Sequence, residues 1–400
     1  MRLRAAVKGI WGPGTSNPSP AGHARIARDR ADLCVPRLKE GRGGFRLFTE
    51  GDDLYEAMLA SIRASRRAIR LESFIFAADA VGWRFAQALG DRARSGVDVR
   101  FHFDARGGAF RPSRPLYDDL VASGVQLKWY HPWRWRRPST YFRRNHRKLL
   151  VIDDAEAFLG GFNIRLENSR ALFGDARQRD THVSVRGELV PRAALLFDRL
   201  WEDAEAPHPG AIPDDATEVE ALLVPNSSRR CQQRLACLLA GLIAGAGRDV
   251  YLTTPYFCPG TIIGDAIRTA AARGVDVRLL VPRLSDPRIT GWATRAAYAG
   301  LLDAGARIFE YRPPRKLHAK TWVIDGEWAV VGSANLDHLS LFVNLELVLA
   351  ARDPDLGEAL RLQYQRDLVD ADEIQPTAWR ARGWPERGLE MLGRTLRRFL

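Results

Sequence analysis

Two histidines in this 400-residue chain each stand two residues before a lysine and seven before an aspartate: His146, Lys148 and Asp153, then His318, Lys320 and Asp325. Each set is followed at matched distance by a small-residue step and an asparagine, Gly160-Gly161-Phe162-Asn163 and Gly332-Ser333-Ala334-Asn335. Every one of these positions is displaced by 172 residues between the copies. A single such pattern arises easily by chance; two copies with matched downstream glycines and asparagines do not. On a strand, residues at i and i+2 face the same way, so each imidazole is expected beside an ammonium. That pairing suits a phosphate: the lysine neutralises a non-bridging oxygen, and neutral histidine attacks phosphorus or moves a proton. Gly161 and Ser333 would let backbone approach the same anion, and the amides of Asn163 and Asn335 would donate to its oxygens. Asp153 and Asp325 complete the motif and read as orienting side chains or holding the fold.

The elements that must position these residues repeat as well. Phe45–Phe48 reads as a strand. A helix follows, capped by Asp53 with Glu56 three residues on and an apolar face of Leu54, Met58 and Ile62. A strand from Ala68 to Phe76 and a helix near Trp83 to Arg94 lead into Gly96-Val97-Asp98-Val99-Arg100. The second half has a helix around Leu235 to Gly245, a strand from Val250 to Phe257, a helix from Thr261 to Ala272, and the same pentapeptide at Gly274. Alternating helices and strands predict an α/β fold with a largely parallel or mixed sheet in each half. The expected organisation is a basic tail over 1–44, a first domain over 45–210, a second over 219–370, and a basic amphipathic segment over 371–400. A linker rich in Pro, Asp and Ala, from about Glu205 to Glu218, divides the halves.

The net charge is +12. Residues 1–44 contribute +6 and residues 376–400 contribute +4, so the body between them is nearly balanced. A nucleic-acid groove would put the excess on the body; charge in the tails fits an anionic membrane surface. The four cysteines show no metal-type pairing and read as reduced thiols. The longest apolar run, Leu235 to Gly247, is 13 residues, short of the roughly 20 that a membrane span needs, and no signal peptide is read at the N-terminus.

The paired motif resembles that of the phospholipase D superfamily over roughly residues 45–370. Glu72-Ser73-Phe74-Ile75, Thr254-Pro255-Tyr256-Phe257, Asp180-Thr181-His182 and Asn344-Leu345-Glu346 resemble its cardiolipin synthase branch, in a short form without N-terminal membrane helices. The resemblance implies two duplicated α/β/α sandwich domains packed around one shared active site. It implies His146 as nucleophile, forming a phosphohistidine, and His318 as general acid and base, with Lys148, Lys320, Asn163 and Asn335 on the phosphoryl oxygens. Glu72 and Glu346 become candidates for orienting the opposite histidines. No metal or other cofactor is expected. The activity implied is transfer of a phosphatidyl group from one phosphatidylglycerol to another with release of glycerol; the alternatives are a phospholipase D-type hydrolase and a metal-independent nuclease of the same superfamily. Many relatives carry Asp-x-Arg-Ser after the second asparagine. Here the run is Asp337-His338-Leu339-Ser340, a departure that bears on substrate placement.

Two further segments fit a lipid substrate. Trp133 to Arg137 and Tyr141 to Arg144 interleave aromatic and basic residues before the first motif, a composition suited to a headgroup interface and also to single-stranded nucleic acid. Leu389, Leu392, Leu396 and Phe399 share a helical face, with Arg387, Arg394, Arg397 and Arg398 around it; this helix either lies in a membrane interface or docks on the body. The expected partners are phosphatidylglycerol and a membrane surface, not nucleic acid. The expected place is the cytoplasm, peripherally on the cytoplasmic membrane. His102, Asp104 and Arg106 are candidates for the rim of the site; His23, His131 and His208 read as loop residues, and Trp83 and Trp201 as packing residues.

Overall fold

The computed structural model describes residues 44–105, 113–131, 135, 142–202, 221–226 and 229–396. The N-terminal tail to 43, Arg106, the linker, most of the aromatic and basic stretch before His146, and Arg397, Arg398 and Phe399 lie outside the described residues.

The first half supplies β1 (Phe45–Phe48), β2 (Ala68–Ser73), β3 (Asp98–Asp104), β4 (Gln126–Tyr130), β5 (Leu149–Ile152), β6 (Glu156–Gly160), β7 (Gln178–Arg179) and β8 (His182–Arg186). The second supplies β9 (Ala221–Pro225), β10 (Asp249–Thr253), β11 (Asp276–Pro282), β12 (Arg307–Tyr311), β13 (Lys316–Leu317), β14 (Thr321–Ile324), β15 (Trp328–Gly332), β16 (Leu347–Arg352) and β17 (Ala371–Glu373). Two mixed sheets result, in the orders β1-β8-β6-β5-β2-β3-β4 and β17-β12-β11-β10-β14-β15-β16-β9. In each, three strands joined by crossover helices are parallel, β2-β3-β4 and β10-β11-β12, and the motif hairpin, β5-β6 or β14-β15, joins them antiparallel.

Helices cover the outer face of each sheet: Gly51–Ala64, Ala80–Arg94 and Arg114–Ala122 on the first, Arg229–Gly245, Thr261–Ala272 and Tyr298–Asp303 on the second. The inner faces meet in a core shared by both halves, with Leu189–Glu202 and Pro354–Val369 flanking it. The motif strands are sealed on both sides. Leu149 and Val151 enter the shared core while Leu150 and Ile152 enter the outer core of the first half. In β14, Val323 faces the shared core, and Trp322 and Ile324 face outward. Each such side chain contributes roughly 1.5–3 kcal/mol of burial, so the strands are rigidly seated, although each His and Lys precedes its strand instead of lying on it.

The repeated pentapeptide has a conformational cause. Gly96 and Gly274 adopt φ of +90° and +89° directly after the helices Ala80–Arg94 and Thr261–Ala272, the left-handed position at which glycine ends a helix without steric cost.

Three expectations change. The helix placed after Asp53 begins at Gly51, with Glu50 as its cap and no side-chain cap bond. Gly51 packs on the Asn168 carbonyl, where a side chain would collide, and Asp52 instead accepts from the amides of Arg170 and Ala171 at 2.8 and 3.1 Å. The strand read to Phe76 ends at Ser73, and the strand read from Val250 to Phe257 ends at Thr253; beyond them Phe76 and Phe257 make only isolated bridges, to Ile164 and Leu336. The boundary at 370 falls inside the second half: β17 pairs with β12, and Trp379 is buried in that half's outer core. The helix Trp384–Leu396 docks on Arg288–Arg295, its buried Gly393 lying against the main chain of Trp292 and Ala293. Leu389 and Leu392 stay exposed on it.

Candidate active site

His146 and His318 lie just before β5 and β14, and each is held by main-chain bonds to the opposite half. His146 N–H donates to the Leu345 carbonyl at 2.9 Å, and Leu345 N–H donates to the Arg144 carbonyl at 2.7 Å. His318 N–H donates to the Arg179 carbonyl at 2.8 Å, where β13 runs parallel to β7. In both cases the residue that receives the histidine amide is followed by a buried acid. Glu346 accepts from His146 Nδ1 at 3.0 and 3.1 Å, and Asp180 accepts from His318 Nδ1 at 2.5 Å. A carboxylate can only accept, so the ring proton sits on Nδ1 and the lone pair on Nε2. Each half thus fixes the tautomer of the other half's histidine.

Asp180 is a site residue that the motif reading did not include. It holds the position of Glu346 in the repeat: Gly160 pairs with His182 and Gly332 with Val348, and each acid precedes that strand partner by two residues. The small residues that follow the motifs serve these acids. A Cβ at Gly161 would collide with the Asp180 carboxylate. At the matching position, Ser333 Oγ donates to Glu346 Oε2 at 2.5 Å and accepts from Leu347 N–H at 3.0 Å.

Both lysines are buried. Lys148 Nζ donates to the His146 carbonyl at 2.6 Å, and Lys320 Nζ donates to the His318 carbonyl and stands 2.8 Å from His318 Nδ1. Burial pushes Lys148 down to about 7 and Lys320 down to about 8, against the opposing pull of Glu346 and Asp180. Burial also lowers both histidines, His318 to about 4, and Lys148, Lys320 and the facing carboxylates act on the rings from both halves. For Asp180, burial acts upward but Lys320 and His318 outweigh it and hold the carboxyl below its ordinary range. The result is two Nε2 lone pairs and two poorly solvated ammonium groups in one small space, an arrangement that an anion would complete.

Asn163 accepts through Oδ1 from Ile75 N–H at 3.1 Å, which turns its amide nitrogen the other way. Asn335 Nδ2 donates to Ser340 Oγ at 3.2 Å, and its Oδ1 is buried without a partner. Phe74 meets the His146 ring edge-on, centroids 5.0 Å apart, and lies 5.4 Å from Lys148 Nζ. Asp337 caps the helix His338–Phe342 through Ser340 N–H at 2.7 Å; burial, reinforced by Glu346, raises it to about 6.

The remaining candidates lie elsewhere. Asp153 and Asp325 stand at the far ends of β5 and β14, with φ of +53° and +55°. Asp153 accepts from the amides of Arg66, Arg67 and Ala68 at 2.8 to 2.9 Å, and Asp325 from those of Gly247, Arg248 and Asp249 at 2.7 to 3.0 Å. Both tie the motif hairpin to the neighbouring parallel strand and are a strand length from the histidines. Glu72 does not meet His318: it is fully buried in its own half, bound to Arg147 at 2.5 and 2.8 Å. His102 is a buried core residue, held down to about 3 by burial and the nearby Arg147. Asp104, also buried, accepts from Asn145 N–H at 2.7 Å and so braces the approach to His146 instead of lining a rim. His131 is half-buried and stacked on Tyr130 at 4.0 Å. Among the described residues, no group of three His, Cys, Asp or Glu could hold a metal ion, and no helix is long and apolar enough to cross a membrane.

This geometry, two α/β halves exchanging a histidine for an acid, defines a duplicated fold of the phospholipase D type. The sequence profile of the family described as "Cardiolipin synthase, PLD-like domain" matches residues 58–201 and 239–368. Cardiolipin synthase 2 of Bacillus anthracis is 33% identical over 363 residues, covering 88% of this chain and 70% of that protein. Cardiolipin synthase A of Pseudomonas aeruginosa is 33% identical over 372 residues, 92% of this chain and 74% of the relative. The chain belongs to the cardiolipin synthase family of phospholipase D-like proteins. Among solved structures, phosphatidylserine synthase from Haemophilus influenzae shares the fold, with a TM-score of 0.70 at 12% identity, over 94% of this chain and all of that one.

Proposed function

We propose that this protein is a phosphatidyltransferase that joins two phosphatidylglycerol molecules into cardiolipin and releases glycerol. The observation that carries the reading is the reciprocal pair, His146 on Glu346 and His318 on Asp180, with Lys148 and Lys320 buried between them. His146 Nε2 attacks phosphorus and forms a P–N bond while the P–O bond to the departing glycerol breaks. His318 gives that oxygen its proton. The hydroxyl of a second phosphatidylglycerol then loses its proton to His318, its oxygen attacks phosphorus, and the P–N bond breaks to restore His146. Burial and Lys320 push His318 down, but a phosphodiester anion against the ring acts upward, and Asp180 stabilises the imidazolium that forms. The two ammonium groups and the Asn163 amide take the charge on the non-bridging oxygens, while the Asn335 amide holds Ser340 and Asp337. Asp153 and Asp325 serve the hairpins and not the reaction. The protein would work on the surface of the membrane that holds its substrate.

The test uses purified protein, phosphatidylglycerol vesicles and chelator, with lipids read by mass spectrometry. Cardiolipin and glycerol are expected. His146→Ala and His318→Ala should each lose at least about 10⁴-fold in turnover, because groups acting as a unit fail together, and a phosphoryl adduct should be found on His146. Phosphatidic acid alone would make the protein a hydrolase. Full activity in either variant would exclude the two-histidine route.

A further inference from the structure

We propose that the edge of the active-site face is a membrane-inserting rim, built by both halves, that seats on an anionic phospholipid bilayer. The proposal rests on the lipid substrate argued above and adds which surface meets the bilayer. β2 and β10 deliver Phe74 and Thr254 to the site end of the sheets, and the connections leaving that end carry exposed apolar side chains. Phe142, 62% exposed, lies four residues before His146. Phe173, 41% exposed, lies between β6 and Asp180. Leu284, 71% exposed, lies two residues past β11, and Phe342 lies between Asn335 and Glu346. The helix after Leu284, Arg288–Arg295, is the one on which Trp384–Leu396 docks through Gly393. Exposed Arg170 and Arg288 stand among them, together with exposed Asp175 and Asp286.

The opposite end has a different character. Its motif turns are Asp153-Asp154 and Asp325-Gly326-Glu327, and these cannot enter a bilayer. The occupant follows from position. A protein seated on the apolar edge would cover the histidines, whereas a bilayer brings the substrate to them. Aromatic and aliphatic side chains with arginine beside them suit an anionic headgroup region.

The experiment compares the full chain with Phe173→Glu, Leu284→Glu and their double variant, and with Leu362→Glu, an exposed leucine on the flanking helix Pro354–Val369. Binding to vesicles of phosphatidylglycerol and phosphatidylcholine is measured by sedimentation, thermal midpoints by calorimetry, and turnover on vesicles and on monomeric short-chain phosphatidylglycerol. Each rim variant should weaken vesicle binding about tenfold with an unchanged midpoint and retained short-chain turnover, while Leu362→Glu binds normally. Rim variants that bind as the parent does, a control that loses as much, or a parent dimer that the rim variants dissolve would overturn the proposal. Rim-dependent vesicle binding without turnover of either lipid would leave the rim standing and sink the proposed reaction instead.

Discussion

Behind His146 the wall is Glu72 and Arg147, both fully buried and paired at 2.5 and 2.8 Å; at the matching positions behind His318 stand Thr253 and Ala319. The match is structural: Glu72 pairs with Leu149 as Thr253 pairs with Thr321, and the next residues, Ser73 and Thr254, bond the carbonyl two residues on at 2.6 and 2.9 Å. A second difference lies beside the acids. Arg179, before Asp180, makes a buried pair with Asp367 at 2.8 Å, whereas Leu345, before Glu346, packs with Tyr130 and Leu200. The reacting groups are duplicated while their supports have diverged. The proposed chemistry calls for two imidazoles of fixed tautomer and two ammonium groups, and the two half-sites hold them in different ways. What both half-sites retain is the exchange across the interface, so neither half contains a complete site.

After the histidines themselves, the largest effect should come from the exchanged acids. Asp180→Asn and Glu346→Gln keep size and remove charge, which frees the Nδ1 proton and the tautomer with it. By analogy with the aspartate of a serine-protease triad, a loss of up to about 10⁴ in turnover is expected. If His146 is the nucleophile and His318 the acid, the two variants separate: Glu346→Gln slows formation of the covalent adduct, and Asp180→Asn slows departure of the glycerol and activation of the acceptor. Rapid-quench measurement of the adduct resolves the steps. Equal losses in every step would mean that the half-sites are interchangeable.

The next prediction concerns stability. Removing one partner of a buried ion pair strands the other charge, at a cost of roughly 3–5 kcal/mol. Glu72→Thr and Arg147→Ala should each destabilise by that order. The double substitution copies the second half's own solution and should cost clearly less than the sum. A double-mutant cycle by chemical denaturation measures the coupling. Simple additivity would mean that the pair is not a unit and that the comparison with Thr253 and Ala319 fails.

How much of this could be read beforehand follows from where the repeat tolerates insertion. The run from His through the motif hairpin to Asn is one strand, one tight turn and one strand. It cannot gain or lose a residue without flipping side chains across the sheet, so its 172-residue offset is uniform and visible. Beyond Asn163 the chain takes 17 residues to reach Asp180, through the helix Arg170–Phe173, but only 11 separate Asn335 from Glu346. The acids are therefore offset by 166 residues and differ in type, and the partnership is apparent only from strand register. Glu72 was a plausible twin of Glu346 because a buried acid on a strand next to the site resembles one that faces it; only Arg147, one residue past the motif histidine, decides otherwise. Asp153 and Asp325 sit at fixed motif distance because the turn needs a residue that adopts positive φ and caps three amides. That geometric demand is as strict as a catalytic one, so spacing alone could not separate them.

The smallest predicted effect separates the two small residues that follow the motifs. Ser333 donates to Glu346, while Gly161 leaves room for Asp180 and donates nothing from a side chain. Ser333→Gly should therefore make the His146 half-site resemble the His318 half-site. The bond lost is one to a carboxylate, worth roughly 1.5–3 kcal/mol, and the buried Leu347 amide loses the hydroxyl as well. The expected result is a fall of about tenfold to a hundredfold in adduct formation, with the later transfer step unaffected. Gly161→Ser is not its mirror image. Its side chain would enter the space of the Asp180 carboxylate, displace the acid from His318, and cost turnover on the scale of Asp180→Asn. If instead both substitutions had small and similar effects, the contacts around the two acids would be equivalent, and the asymmetry drawn between the half-sites would lie only in their outer supports.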